Sequence, residues 1–190
     1  MLKVMKISSI PARHRQCGVA AIEFAIIAIL LFTLLFGIVE FGRLFYVFNS
    51  VQEVTRRGAR EAVVRWIDAI DDPAEIEELV LLGHTSLPGG GEITAANIKI
   101  EYLNPNGEII SPADLPGNPA ENISECLPSG DHCIAFVQVS IVRAPGGVAC
   151  DPPQNSRACY TPLIGLFPFL SIPIPASTVT MPTESMGYTG

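Results

Sequence analysis

Residues 24–39 of this 190-residue chain carry no charged side chain, and the residue that opens the run is an acid, Glu23. Extended back to Val19, the stretch 19–39 would form about 31 Å of helix, enough to cross the hydrocarbon core of a bilayer. A secretory signal has a shorter apolar core and a small-residue exit in a polar context, and neither is found here. The segment therefore reads as a retained anchor. An ionisable group inside an apolar helix costs roughly 2.5–3.5 kcal/mol at the bilayer centre and less near the interface. So costly a residue at position 23 points to a specific partner.

Charge is distributed unevenly. Residues 1–18 hold Lys3, Lys6, Arg13 and Arg15 with no acid, a balance of +4, whereas the remainder sums to −11 within a total of −7. Short basic flanks stay cytoplasmic and long domains translocate largely regardless of charge. The arrangement implies a single-pass membrane protein with its N-terminus in the cytoplasm and its acidic bulk outside. Of five cysteines, Cys17 lies in the leader. The other four, Cys126, Cys133, Cys150 and Cys159, form an even set in a compartment where disulfides persist. Four cysteines allow three pairings, and sequence proximity favours Cys126–Cys133 with Cys150–Cys159. Zinc is the rival for these residues, with His132 beside Cys133, but the spacings do not fit a ribbon or finger.

The expected fold is α+β: one long transmembrane and amphipathic helix, then a small, loop-rich, disulfide-bonded β-rich domain. Three parts follow, a leader at 1–18, a helix at 19–70 that spans the membrane to about residue 39, and an α+β domain at 71–190. Phe41, Phe45, Tyr46 and Phe48 form an aromatic belt beside Glu40 and Arg43. Leu44, Phe48, Val51, Thr55, Ala59, Ala62, Val63, Trp66 and Ile70 recur at helical spacing, a stripe for packing on the helix's own domain. Glu53–Arg57 and Arg57–Glu61 are candidate i,i+4 pairs, and Gly37, Gly42 and Gly58 mark bends or close contacts. Beyond Pro73 the sequence predicts a short acidic helix from Ala74 to Leu82 closed by Gly83, and a loop at 88–91. Alternation at Ile98, Ile100 and Tyr102 gives a strand ending in an Asn106-Gly107 turn. Proline-rich loops then lead to a strand over 134–143, with Val137, Val139 and Ile141 on one face, and to a closing strand over 178–181.

Gly18 stands five residues before Glu23, after the basic leader. A glycine, four small or apolar residues and a glutamate opening an apolar helix is the layout of a prepilin-type processing site. Cleavage between Gly18 and Val19 would place a new amine about 6 Å along the axis from Glu23. The segments G-V-A-A-I-E-F-A, V-E-F-G-R-L-F-Y-V-F-N and R-R-G-A-R-E-A-V-V together resemble the TadE-like pseudopilins of tight-adherence (Flp/Tad) pilus systems, over about residues 18–64. The resemblance implies processing at Gly18 and Val19 by a prepilin peptidase, and an assembly role for Glu23 and Phe24. It also implies partners among the other pilins and pseudopilins of the system, the inner-membrane assembly platform and the lipid bilayer. Relatives with a von Willebrand A-type domain are longer and carry a D-x-S-x-S motif that this chain lacks. Two other readings share the architecture: a membrane-anchored periplasmic binding module, and a minor pseudopilin of a type II secretion system.

Catalysis and cofactor binding find no support. His14, His84 and His132 have no nucleophile–base context. Asp68, Asp71 and Asp72 lack the ligand alternation of a calcium loop, and Gly89-Gly90-Gly91 lacks the lysine of a phosphate loop. Asn122-Ile123-Ser124 matches a glycosylation triplet that arises often by chance. The arginines at 56–65 are interleaved with glutamate on a helix and precede an acidic domain, which argues against nucleic acid.

Overall fold

The computed structural model describes residues 17–70, 72–127, 130–147, 150, 156–184 and 186–187. The leader up to residue 16, and Asp71, lie outside these. The chain divides into two units, Met1–Ile38 and Val39–Gly190.

Helix α1, Cys17–Val64, runs for 48 residues without proline. In the first unit, every side chain described from Gly18 onward is exposed or, at Ala28 and Gly37, half-buried. This is one helix long and apolar enough to cross a membrane. In the second unit α1 has an apolar stripe and buries it: Leu44, Val47, Val51, Val54, Ala59, Ala62 and Val63 all belong to the core. Thr55 is buried in the same stripe and donates to Val51 O (2.7 Å), with Ser177 Oγ at 2.8 Å. A buried hydroxyl needs such partners.

The sheet that receives this stripe is antiparallel, in the order β3 (Ile98–Leu103), β4 (Phe136–Ile141), β5 (Thr178–Pro182). Ile100 pairs with Val139, which pairs with Val179. Along β4 burial alternates, with Val137, Val139 and Ile141 inside. A one-residue slip would turn those three side chains to solvent, so the pattern pins the register. The turn after β3 follows Asn104, whose Oδ1 accepts from the amides of Asn106 and Glu108 at 3.0 and 2.9 Å. Gly107 adopts φ +83° there, a backbone conformation that favours glycine. Disulfides join Cys126 to Cys133 and Cys150 to Cys159, with Cα separations of 4.7 and 5.5 Å.

The structure departs from the sequence reading at several places. The long helix stops at Val64 rather than near residue 70. Trp66 is extended (φ −73°, ψ 158°), and a 3-10 turn, Ile67–Ala69, follows. Leaving the helix allows Trp66 and Ile67 to pack on the core and Ile70 to be fully buried, a tertiary gain that outweighs continued helix propensity. Neither Glu53–Arg57 nor Arg57–Glu61 forms; Arg57 reaches Val80 O (3.4 Å), and Glu61 pairs with Arg65 (2.8 Å). The acidic helix is α2, Pro73–Leu79, capped by Asp72, and it ends before Leu82 and Gly83, both at positive φ.

The glycine-rich segment at 88–91 is part of a hairpin, β1 (Ser86–Leu87) with β2 (Gly90–Thr94). A Cβ on Gly90 would meet Leu87 at 3.0 Å and Val47 at 3.1 Å. Glycine is thus what lets this strand lie against α1. Where proline-rich loop was expected there is a helix, α3, Pro119–Cys126. Asn118 accepts from Glu121 N (2.9 Å), and Glu121 Oε2 accepts from Gly117 N (2.8 Å). With Pro119 in the first turn, these are helix-start signals. The triplet at Asn122 is structural: its side chain is buried, accepts from Ile134 N (2.7 Å) and donates to Ile134 O (3.4 Å). It ties α3 to the residues leading into β4.

Candidate functional site

Two constellations lie along α1, one in each unit. The first is the segment that opens α1, which holds Gly18, Val19, Glu23 and Phe24. Gly18 and Val19 stand in the first turn of α1, both exposed, and no atom lies within 4 Å of where a Cβ on Gly18 would be. Glu23 is exposed and Phe24 is 73% exposed. Glu23 has no hydrogen bond or ion pair among the described residues. A helix with 3.6 residues per turn sets residues 19 and 23 on one face. This unit therefore presents its backbone glycine, its acid and its apolar side chains outward.

The second constellation centres on Glu40, the first acid after the apolar run. Its side chain is 1% exposed. Oε1 accepts from Tyr160 Oη at 2.6 Å and from the amide of Leu163 at 3.2 Å. Arg43, one turn further along α1, has its Nη1 at 3.5 Å from the same oxygen. The arginine also fans out to three other acceptors: Nε to Gly89 O (2.8 Å), Nη1 to Thr161 O (2.8 Å) and Nη2 to Glu92 Oε2 (2.7 Å). Its guanidinium carbon sits 4.7 Å from the centroid of the Tyr160 ring, within cation–π range. Glu92 Oε1 is buried with no hydrogen-bond partner, so this carboxylate engages through one oxygen.

The result is a clasp. Two residues at i and i+3 on α1 hold the turn between β1 and β2, strand β2 itself, and the loop after Cys159. A planar five-donor guanidinium suits this role, since lysine's compact ammonium cannot fan out to acceptors in the same geometry. Burial first, and then donation to Glu40, push the Tyr160 hydroxyl up to about 12. It is held neutral as a donor at any ordinary pH.

A cavity of about 450 Å³ adjoins the clasp, lined in part by Arg43, Glu92, Thr94, Asn97, Arg143 and Thr161. The Thr94 hydroxyl is committed to Asn97 Oδ1 at 3.1 Å. Apart from Glu92 Oε1, the polar groups of the clasp bond to one another and to backbone groups of the segments they hold.

Glu40 and Arg43 were visible in the sequence as polar residues in an aromatic belt, and their task is different. Phe41, Phe45 and Tyr46 are exposed, whereas Phe48, expected in the same belt, is half-buried against the core. Glu40 is turned inward, because positions 40, 43, 44 and 47 share one helical face. Tyr160 and Glu92 carry no sequence signal for their role. They lie 120 and 49 residues from their partners, and only the fold brings them together.

Residues 18–60 match the family model of TadE-like proteins. No curated protein and no solved structure matches the chain. The matched segment runs from Gly18 through Glu23, Glu40 and Arg43 to the arginine-glycine-alanine-arginine element at Arg57 to Arg60. It contains both helical halves of the clasp and neither of the loops they hold. The family supports a pilin-like role associated with Tad pili, structural in kind and with other pilus components as partners. One apolar helix near the N-terminus is consistent with a single membrane pass in such a system.

Proposed function

We propose that the protein is a minor pilin-like subunit, a pseudopilin, that assists assembly of a tight-adherence type IV pilus by membrane insertion and helix packing. The observation that carries this reading is the outward-facing start of α1. Gly18, Val19, Glu23 and Phe24 are all exposed on an unpacked apolar helix inside the segment matched by the TadE-like family. A prepilin peptidase cuts between Gly18 and Val19, where the absence of a Cβ opens the backbone to the enzyme. The new Val19 amine is cationic near neutral pH, and Glu23 complements it where the dielectric is low. A neighbouring subunit's amine competes for the same carboxylate and sets axial register. Ala21, Ala25 and Ala28 provide a small-residue face for close approach of a second helix. The inner-membrane assembly platform and the other pilins are the protein partners, and the second unit lies in the periplasm.

N-terminal mass spectrometry of the membrane-extracted protein tests the processing step. The mature chain begins at Val19, and Gly18→Val leaves a form about 2 kDa larger by residue count. Full-length protein in membranes with active prepilin peptidase overturns the reading. For the assembly step, Glu23→Leu leaves insertion intact and reduces pilus number. Normal cleavage together with normal piliation removes the assembly role.

A further inference from the structure

The loop held by the clasp has an unusual surface. Residues 162–170 read PLIGLFPFL, without a charged or hydrogen-bonding side chain. Leu170 is buried and Phe167 packs on the core, which anchors the loop from within. Three other large side chains point away from the protein: Leu163 is 75% exposed, Leu166 57% and Phe169 67%. Exposed Leu and Phe scattered singly are ordinary, but several on one short uncharged loop mark an interaction surface.

The position of the loop along the chain says what it meets. The amide of Leu163 donates to Glu40, and the carbonyl of Thr161 accepts from Arg43. Glu40 directly follows the last residue of the uncharged run at 24–39. The loop is thus fastened at the level where an anchoring helix leaves the hydrocarbon. On α1 itself the neighbouring Phe41 and Phe45 are also exposed, at 43% and 61%. Both belong to the same unit as the loop, and apolar and aromatic side chains suit a membrane interface.

We propose that Leu163, Leu166 and Phe169 insert into the lipid surface beside the emerging helix, as a second membrane contact of the periplasmic unit. Glu40 and Arg43 then serve as positioning residues: by holding the loop at the helix exit they set its depth. The occupant is the acyl–headgroup boundary of the bilayer rather than a protein, because the loop offers apolar side chains with no polar group to fix a partner's orientation. This inference rests on the reading of residues 19–39 as a membrane anchor.

The test uses the full-length chain in nanodiscs holding one protein each, with lipids brominated near the top of the acyl chain. Trp66 is the single tryptophan, so Trp66→Phe provides a silent background for Leu166→Trp, and separately for Leu30→Trp. The expected result is that the probe at position 166 loses most of its emission to bromolipid and little to aqueous acrylamide. Quenching by acrylamide and not by bromolipid, with the position 30 probe quenched by lipid, overturns the loop's insertion and leaves the anchor intact. Failure of bromolipid to quench the probe at position 30 overturns the anchor and this inference together. Protection from both quenchers only at several copies per disc assigns the loop to a second copy of the chain, and equally overturns lipid insertion. Adding Arg43→Ala to the Leu166→Trp protein should lessen its lipid quenching.

Discussion

Tyr160 and Glu40 share a hydrogen bond with no access to water, so each depends on the other for its polar contact. Removing the donor with Tyr160→Phe leaves the Glu40 oxygen with the Leu163 amide and the more distant guanidinium. A hydrogen bond to a charged group contributes about 1.5–3 kcal/mol. That loss is the expected drop in unfolding free energy, read by denaturant titration of the detergent-solubilised protein. Glu40→Leu removes more, because Arg43 loses a counter-charge and the tyrosine hydroxyl a buried acceptor. Breaking a buried pair costs about 3–5 kcal/mol. The pH dependence follows from the raised hydroxyl. Its folded-state value of about 12 lies above the ordinary 10.0. The contribution to stability is therefore fully present below pH 10 and is lost as pH rises through about 12. Ultraviolet titration of tyrosinate should show a late step near pH 12 that Tyr160→Phe deletes.

Among the elements, α1 is where glycines with the same sequence signature do different work. Gly58 faces the sheet: a Cβ there would stand 3.2 Å from Val139 Cγ1 and 3.6 Å from Val80 Cγ1. Both valines are fully buried and have little room to yield. Gly58→Leu should overpack this contact and cost about 1–3 kcal/mol. Gly42 is exposed on the same helix and a Cβ there would meet nothing within 4 Å. Gly42→Ala should raise stability by about 1 kcal/mol through helix propensity alone. Thermal unfolding of the two variants side by side gives opposite signs if the packing is as described. A third element-scale test concerns Asn122, whose side chain bridges α3 to both polar groups of Ile134. Asn122→Ala strands the buried Ile134 amide at about 1–3 kcal/mol, while the Ile134 carbonyl keeps the Thr183 hydroxyl as a donor. Proteolysis should then open the Cys126–Cys133 region before the sheet.

At the scale of the molecule, the first unit holds an apolar helix long enough to cross a membrane and the second holds the sheet and both disulfides. Two disulfides close loops outside the strands of the small sheet, over sequence separations of 7 and 9. Short loops of this kind contribute about 2–4 kcal/mol each in the chain-entropy account. Alkylation and peptide mapping of exported protein should recover Cys126 linked to Cys133 and Cys150 linked to Cys159. Reduction should lower the unfolding midpoint without releasing the protein from membranes, because the anchor contains neither bridge.

What the sequence determined by itself is local or periodic. The uncharged run opened by Glu23 predicts a long helix, the stripe from Leu44 to Ile70 predicts the face it buries, although the helix leaves that stripe at Val64, and alternation at Val137, Val139 and Ile141 predicts the central strand. Each depends on neighbours within a turn or a pleat, so the spacing of side chains is sufficient to read it. Helix α3 was legible in the same way, through Asn118, Pro119 and Glu121, although the density of prolines around it argued for loop. Only the tertiary structure decided where α1 stops, why Gly90 lies in a strand, and what Glu40 and Arg43 do. Those outcomes rest on contacts between residues far apart in sequence, with Val47 against Gly90 and with Tyr160, Thr161 and Leu163 brought to the helix. No periodicity encodes such pairs. They form because two polar side chains on a buried helical face need partners, and the folded loops are the groups within reach.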